Sequence, residues 1–168
     1  MTTPFLIEAL SKQDRQTFRC GEEDLDRYFQ QQVTQDMRRR VASCYVVLDR
    51  SSREVAGYYT LSACHVALND LPKPLQRKLP RYPSVPAVRL GRLAVSLSYQ
   101  GHGLGSALLV NAAARVLRSD IAAYALIVDA KHDRATSFYL HHGFIPFSDS
   151  PSRLFAPIAA LSKALGIE

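Results

Sequence analysis

The sequence has 168 residues, the usual size of one domain and long enough to bury a substantial core. Hydrophobic residues make up 47% and charged residues 21%, which excludes a chain that is disordered throughout. Lys and Arg number 21 against 15 Asp and Glu, and the net charge of +6 favours anionic partners. The charge does not choose between nucleic acid, phosphorylated cofactors and acidic proteins.

The three cysteines, Cys20, Cys44 and Cys64, lie far apart and form no CxxC spacing. This pattern argues against a disulfide framework and against a structural zinc site. The first ten residues lack the features of a secretion signal, and no apolar run approaches the roughly 20 residues of a membrane span. We therefore expect a cytoplasmic protein without a metal or a membrane partner.

The first strongly indicated elements are a helix and a hairpin. Acidic residues at 22–24 suit a first helical turn, and an apolar face then recurs at helical spacing through Leu25, Tyr28, Phe29, Val33 and Met37. Segments 41–48 and 55–66 are rich in Val, Tyr and Thr and are separated by turn residues, which predicts an antiparallel hairpin. A proline-rich connector at 68–86 is expected to hold a short helix at 73–79.

The second half alternates strands and helices. We predict strands at 85–95 and 123–130, a helix at 103–117 that is buried on all sides, and a helix capped by Asp133 and stopped by Gly143. Closing strands at 144–147 and 153–157 precede a short final helix. The order β-α-β-β-(α)-β-α-β-α-β-β predicts one α/β domain over residues 1–168, with helices on both faces of its sheet.

A glycine-rich turn leads from the 85–95 strand directly into an apolar helix. Gly101, Gly103 and Gly105 allow positive φ and close approach of a ligand, and the first helical amides have no intrahelical partner. Such a turn can cradle a phosphate or pyrophosphate. It is not a Walker loop and is a poor dinucleotide fingerprint, and a tight turn built only for packing stays an alternative.

Three stretches resemble one enzyme family. Gln100-x-x-Gly103-x-Gly105 is similar to the (Q/R)xxGx(G/A) pyrophosphate loop of the GCN5-related N-acetyltransferases. The residues Val128-Asp129-Ala130-Lys131, followed by Ser137-Phe138-Tyr139-Leu140-x-x-Gly143-Phe144, resemble the strand–helix–strand of that family at the thiol end of its cofactor. Phe18-x-Cys20-Gly21, with Leu25-Asp26-x-Tyr28-Phe29 after it, resembles the opening of the acetyltransferase toxins of bacterial type II toxin–antitoxin modules. Arg19 replaces a commonly acidic residue of these toxins, a change that concerns partner choice.

The resemblance implies a mixed, mostly antiparallel sheet splayed around acetyl-CoA, with no metal. Tyr139 is the implied general acid for the leaving thiolate, and an aromatic core residue is the alternative at this position. The Val95 N–H is the implied donor to the oxyanion. A general base stays open between Glu22, Asp129 and water. The implied cofactor-binding residues are Leu93, Ala94, Val95, Gln100, Gly101, His102, Gly103, Leu104, Gly105, Ser106 and Ser137.

The substrate that this resemblance implies is the α-amine of aminoacyl-tRNA, whose acetylation blocks translation. An α-amine, with a pKa of about 7.7–8.0, needs less deprotonation than a lysine side chain at about 10.4. Taken singly, each cationic side chain is more often a solvated surface charge than an RNA contact. The candidate tRNA-binding residues are Arg77, Lys78, Arg81, Arg89, Arg92, Lys131 and Arg134, with Arg38, Arg39, Arg40, Lys73 and Arg153 as further cations.

Two other functions stay open, an ordinary acetyltransferase of a small amine or protein N-terminus and a co-repressor module without catalysis. The intact Gly103, Gly105 and Tyr139 argue against lost catalysis. The toxin resemblance further implies a homodimer, a ribbon-helix-helix antitoxin on the positive surface, and operator DNA reached only through that antitoxin. We expect His141 and His142 to pack or cap rather than bind metal, and Cys20 to be structural.

Overall fold

The computed structural model describes residues 3–167, and its elements follow the predicted order. The strands are β1 (Phe5–Ala9), β2 (Ser43–Asp49), β3 (Val55–Ala67), β4 (Ser84–Val95), β5 (Ala125–Asp129), β6 (Ile145–Phe147) and β7 (Ser150–Pro157). The α-helices are α1 (Glu23–Arg27), α2 (Val33–Arg38), α3 (Lys73–Gln76), α4 (Leu104–Arg118), α5 (Asp133–His141) and α6 (Ile158–Leu165). A π-helical segment and two 3₁₀ segments complete them, at Tyr28–Gln32, Leu68–Asp70 and Leu97–Tyr99.

The strands form a mixed sheet in the order β1-β2-β3-β4-β5-β7-β6. The β1–β2, β2–β3, β5–β7 and β6–β7 pairs are antiparallel and the β4–β5 pair is parallel. The predicted α/β class with a mostly antiparallel sheet is therefore confirmed. The parallel register covers Ala87–Arg89 of β4, and the strand continues beyond it to Val95.

The chain divides into two compact units, with β3, β4 and α4 each passing through both. The first unit runs up to Ser62 and resumes over Gly91–Ala112. An aromatic cluster lies in its core, where the ring centroids of Phe29 and Tyr58 are 4.2 Å apart and that of Phe18 lies 5.0 Å from Phe29. Burial raises the pKa of the Cys20 and Cys44 thiols to about 12, which fits a structural role for both.

The predicted first helix is interrupted by the π-helical turn at Tyr28–Gln32. Its apolar face is as expected, since Tyr28, Phe29 and Val33 are all buried. A π turn widens the helix by about one residue. This widening accompanies the burial of the sequence neighbours Tyr28 and Phe29, and the Tyr58 hydroxyl donates to the Leu25 carbonyl at 2.8 Å.

The second unit comprises Ala63–Leu90 and the chain from Ala113 onward. In its core the rings of Phe147 and Phe155 lie 4.8 Å apart, and Leu68, Leu75 and Leu79 pack against this core from the connector. The predicted connector helix is shorter than expected. α3 ends at Gln76, after which the chain turns through i to i−3 hydrogen bonds, such as Leu79 N–H to the Gln76 carbonyl at 3.2 Å.

Helix α4 corrects the expectation of burial on all sides. It buries one stripe and leaves Ala107 exposed, while Arg118 is exposed at its end. The sequence overstates the burial of this helix because alanine counts as an apolar residue, although exposing its single methyl group to water costs little free energy. The buried stripe consists of Leu104, Leu108, Leu109, Ala112, Ala113 and Val116.

The cap of α5 is also corrected. His132, not Asp133, is the N-cap residue, and its Nδ1 accepts the Ala135 N–H at 3.1 Å. Asp133 is the first helical residue, where its negative charge suits the positive end of the helix. Gly143 follows the helix at φ +93°, so the predicted glycine stop is confirmed.

Candidate active site

The glycine-rich turn of the first unit connects the end of β4 to α4. Gly101 and Gly103 have φ of +85° and +78°, a backbone conformation that side-chain-bearing residues rarely adopt. The Ala107 N–H makes the first intrahelical bond, to the Gly103 carbonyl at 3.1 Å. The amides of Leu104 and Gly105 precede this bond, at the positive end of a 15-residue helix.

Open space lies beside this turn. A Cβ atom added at Gly101 or at Gly103 would meet no heavy atom within 4 Å. Backbone amides, a helix N-terminus and free space fit the phosphates of a nucleotide-like cofactor. His102 is exposed on the same turn.

Gln100 holds the turn in place. Its Nε2 donates to the Val95 carbonyl at 2.9 Å and to the Cys20 carbonyl at 3.1 Å. These two bonds engage both protons of the side-chain amide, so Gln100 is a positioning residue for the turn. The motif alone indicates a cofactor-binding residue and gives no sign of this second role.

The N-terminal signature meets the same turn. The Leu97 N–H donates to the Arg19 carbonyl at 2.8 Å, and the Cys20 N–H donates to the buried Asp26 carboxylate, also at 2.8 Å. A Cβ added at Gly21 would lie 3.4 Å from the Leu97 side chain. Two motifs that are about 80 residues apart in sequence thus form one local structure, and this explains why Cys20 is buried there.

The last residues of β4 are held closely against β3. Ser96 N–H donates to the Ala56 carbonyl at 2.8 Å. A Cβ added at Gly57 would lie 2.8 Å from the Ala94 carbonyl oxygen, so only glycine permits this approach. Leu93 and Val95 are half-buried and Ala94 is buried, which gives the predicted pantetheine-binding strand a defined position within the first unit.

Tyr139 lies in the second unit, on α5. Its side chain is buried, with ring centroids 5.2 Å from both Phe138 and Phe144. Burial raises the pKa of its phenol above the ordinary value. The group therefore stays protonated at neutral pH, as a general acid must.

The Tyr139 hydroxyl has no hydrogen-bond partner among residues 3–167. Within the same described range, every side-chain nitrogen or oxygen that is fully buried has a hydrogen-bond partner. The Tyr139 hydroxyl has none, so it must be in contact with solvent. Three other buried tyrosines bond elsewhere: Tyr28 to Asp36, Tyr58 to the Leu25 carbonyl and Tyr59 to Asn111. Tyr139 thus keeps a proton that it can donate.

The other residues predicted on or before α5 are exposed. Ser137 and Arg134 lie on the helix and Lys131 lies just before it. His142 Nδ1 lies 2.8 Å from the Phe138 carbonyl, which agrees with the predicted packing and capping role. Within residues 3–167, no cluster of three His, Cys, Asp or Glu side chains could hold a metal ion.

The predicted RNA-binding cations differ in their surroundings. Arg77, Lys78 and Arg81 are exposed on the connector of the second unit. Arg89 forms an ion pair with Asp129, so its charge is partly neutralised and Asp129 is no longer an unengaged candidate base. Arg92, in the first unit, lies over the Tyr28 ring at 3.4 Å from Cζ to the centroid. Glu22 precedes α1 and is exposed.

Amides that can bind a phosphate and a buried phenol that can release a proton are what an acyl-CoA-dependent transferase requires. The chain belongs to the acetyltransferase (GNAT) family, whose family model matches residues 6–144, and it is an acetyltransferase. Across the helices between residues 3 and 167, none has the length and apolarity needed to cross a membrane.

Two curated relatives extend this result. The chain is 37% identical over 133 residues to a tRNA-acetylating toxin of Mycobacterium tuberculosis, covering 78% of each chain. It is 26% identical over 172 residues to a protein of Sinorhizobium fredii named "Probable toxin TacT", covering 96% of this chain and 95% of the relative.

Solved structures match over nearly the whole chain. A tyrosine-to-phenylalanine mutant of KacT is 30% identical, with a TM-score of 0.88 over 96% of this chain and 99% of that one. AtaT complexed with acetyl-methionyl-tRNAfMet is 32% identical, with a TM-score of 0.83 over 96% and 97%. A third structure, AtaTR bound with AcCoA, is 30% identical with a TM-score of 0.79 over 95% and 97%. Other matches are AtaT bound to the C-terminus of the antitoxin AtaR and the AtaT-AtaR complex bound to DNA.

Proposed function

We propose that this acetyltransferase moves an acetyl group from acetyl-CoA to the α-amine of an aminoacyl-tRNA, and that it blocks translation as the toxin of a type II toxin–antitoxin module. The observation that carries the choice of substrate is the similarity to AtaT complexed with acetyl-methionyl-tRNAfMet over 96% of the chain. The 37% identity to a tRNA-acetylating toxin supports the same substrate independently.

The residues of the first unit suit acetyl-CoA, which supplies the acetyl thioester when bound. The backbone amides from Gly101 to Ser106 receive the pyrophosphate, with Gln100 holding the turn that presents them. Leu93, Ala94 and Val95 offer strand backbone to the pantetheine arm. The Val95 N–H is the donor for negative charge that develops on the acetyl oxygen. Ser137, on α5, is a further cofactor contact in this proposal.

Tyr139 performs the proton transfer. As the amine nitrogen forms its bond to the acetyl carbon and the carbon–sulfur bond breaks, Tyr139 donates its phenolic proton to the departing sulfur. Because Asp129 is paired with Arg89, water and Glu22 are the remaining acceptors for the proton that the amine loses. A substrate α-amine, with a pKa of about 7.7–8.0, is partly neutral already and needs little help from a base.

The partners in this proposal are anionic. Arg77, Lys78, Arg81, Arg92, Lys131 and Arg134 receive tRNA phosphates, and Arg89 contributes less because of its ion pair. A ribbon-helix-helix antitoxin covers part of this cationic surface and carries the complex to operator DNA, in line with the antitoxin and DNA complexes of the relatives. We further propose a homodimer acting in the cytoplasm, where charged tRNA is used.

The test is transfer of labelled acetyl from acetyl-CoA to bulk aminoacyl-tRNA, with uncharged tRNA and free amino acids as controls. Label on the aminoacyl group, abolished by Tyr139→Phe, is the expected result, and mass analysis of the released amino acid identifies the tRNA class. Label on free amines or peptides alone would replace this proposal with an ordinary acetyltransferase. Acetyl-CoA binding without any transfer would favour a non-catalytic role.

A further inference from the structure

The connector between β3 and β4 forms an open groove within the second unit, with a volume of about 690 Å³. We call it the connector groove, and its chief lining residues are Leu68, Lys73, Arg77, Leu79, Arg81 and Tyr82. Ligand sites of roughly 300–1,000 Å³ hold molecules of small-ligand size. The groove is therefore large enough for a ligand rather than for water alone.

The charged side chains that line the connector groove are all cations. Lys73, Arg77 and Arg81 are exposed, and no Asp or Glu is among the residues that line the groove. Lys73, Arg77 and Arg81 belong to neither of the ion pairs Arg27–Asp24 and Arg89–Asp129, so these three cations keep their charge for a ligand. Three uncompensated cations in one groove select an anionic ligand.

An aromatic ring stands exposed in the same groove. Tyr82 is 63% exposed, so most of its side chain is open to solvent. Its flanking residues Arg81 and Pro83 also line the groove, and the Pro83 carbonyl accepts the Leu68 N–H at 3.0 Å, which ties the two ends of the connector together. Leu68 and Leu79 pack on the core, so the connector that carries Tyr82 is anchored to the core on both sides of the groove.

We propose that the connector groove binds the unpaired 3′ end of tRNA, with the bases stacked on Tyr82 and the phosphates held by Lys73, Arg77 and Arg81. Exposed aromatic rings interleaved with cations are the means by which proteins bind single-stranded nucleic acid without reading its sequence. Every base presents a face that can stack on such a ring, whatever the sequence of the strand. This inference rests on the proposed function, since it assigns part of the same substrate to named residues.

The experiment measures binding of an uncharged, labelled tRNA to the full chain, with the unpaired 3′ end either present or removed. The intact tRNA should bind wild type more tightly than the trimmed one. Tyr82→Ala should weaken intact-tRNA binding by about tenfold or more, leave trimmed-tRNA binding unchanged, and keep the slope of affinity against salt. Tyr82→Trp should retain affinity.

Two kinds of control variant separate the stacking on Tyr82 from a general loss of apolar surface and from a loss of positive charge. Ile121→Ala removes another exposed apolar side chain of the second unit, 82% exposed, and should change nothing. Arg77→Gln and Arg81→Gln should each reduce the salt slope by about one. Because Tyr82 is exposed, its variants should unfold at the wild-type temperature, and the comparison of intact with trimmed tRNA tests the groove in wild type alone.

Equal binding of both tRNAs, or no effect of Tyr82→Ala, would overturn the inference. Loss of antitoxin binding alone in Tyr82→Ala would reassign the groove to a protein partner. If aminoacyl-tRNA is acetylated with an unchanged KM in Tyr82→Ala, the groove assignment fails and the proposed function stands. If tRNA binding depends on Tyr82 while acetyl transfer goes only to small amines, the groove assignment stands and the proposed function fails.

Discussion

Arg92 and Tyr28 form a cation–π pair, with the guanidinium carbon 3.4 Å from the ring centroid. The Tyr28 hydroxyl donates to the Asp36 carboxylate at 2.7 Å, and this bond lowers the pKa of Asp36. Burial is the main cause that raises the pKa of Tyr28, so the ring stays neutral. A cation of the proposed tRNA surface is thus held in one orientation by a neutral aromatic ring.

We expect Tyr28→Leu to raise the KM for aminoacyl-tRNA about 2- to 30-fold, because a cation–π contact is worth about 0.5–2 kcal/mol. Tyr28→Phe keeps the ring under Arg92 and should stay within about twofold of wild type, while losing about 1 kcal/mol of stability with the bond to Asp36. Steady-state kinetics and thermal unfolding measure both quantities. Equal KM values in all three proteins would show that Arg92 needs no support from the ring.

Tyr139→Phe should lower kcat by about 10²- to 10⁴-fold, the usual contribution of general acid–base catalysis. Its affinity for acetyl-CoA and its unfolding temperature should not change, since the hydroxyl bonds to no group between residues 3 and 167. Tyr59→Phe is the matched control: it removes the bond to Asn111 and should reduce stability while leaving kcat intact. Near-normal turnover by Tyr139→Phe would exclude the phenol as the acid.

Gly103→Asp should weaken acetyl-CoA binding more than Gly103→Asn does. Asp and Asn both tolerate the left-handed conformation that Gly103 adopts at φ +78°, so the two variants carry similar backbone strain. They differ by the negative charge that Asp brings to the proposed phosphate site. Titration calorimetry with acetyl-CoA gives the two affinities, and identical values would mean that the phosphates bind elsewhere.

The pH dependence should show no loss of acid catalysis at moderately alkaline pH. Burial raises the folded pKa of Tyr139 above the unfolded value of about 10, so the neutral phenol is favoured by folding. The contribution of the neutral Tyr139 phenol to the free energy of unfolding is present below about pH 10, and it is lost as the pH rises towards the pKa of the folded state. We expect kcat to increase between about pH 7 and 9 as the α-amine, with a pKa of about 7.7–8.0, deprotonates. Initial rates that fall within that interval would contradict the assignment.

Gly57→Ala should destabilise the protein by about 1–3 kcal/mol and weaken acetyl-CoA binding. Its Cβ would lie 2.8 Å from the Ala94 carbonyl oxygen, which cannot yield without moving the end of β4. Gly91→Ala is the milder control, because its Cβ would lie farther from its nearest neighbour, at 3.1 Å from the Thr60 hydroxyl, which belongs to a side chain and not to the backbone. Chemical denaturation and acetyl-CoA titration distinguish the two. An undisturbed affinity in Gly57→Ala would show that Ala94 does not position the cofactor.

Local patterns in the sequence were sufficient to predict the order of elements and the two motifs around Gly103 and Tyr139. The element order and the glycine stop at Gly143 depend on residues close in sequence, and the structure confirms both. The His132 cap was missed because an imidazole nitrogen seldom fills that position, for which Asp133 was the expected choice.

Features that depend on distant residues could not be predicted. The Arg89–Asp129 ion pair joins residues 40 positions apart, and it changes the proposed role of both. The π turn at Tyr28–Gln32 follows from packing that no local preference records. The connector groove likewise needs the fold, since the proline-rich segment that holds Tyr82 has no periodicity to indicate which side chains meet.

The two hydrogen bonds of the Gln100 side-chain amide have a consequence for the rate at which acetyl-CoA binds. The Gln100 side-chain amide joins the glycine-rich turn to the Val95 and Cys20 carbonyls, and these two hydrogen bonds, which need no ligand, fix the conformation of the turn. If acetyl-CoA binds at this turn, as proposed, we expect it to meet a rigid receptor and to lose little affinity to ordering a loop. Association should follow a single phase whose rate grows linearly with concentration. Removal of both Gln100 hydrogen bonds should add a slow, concentration-independent step, in which the turn regains its binding conformation.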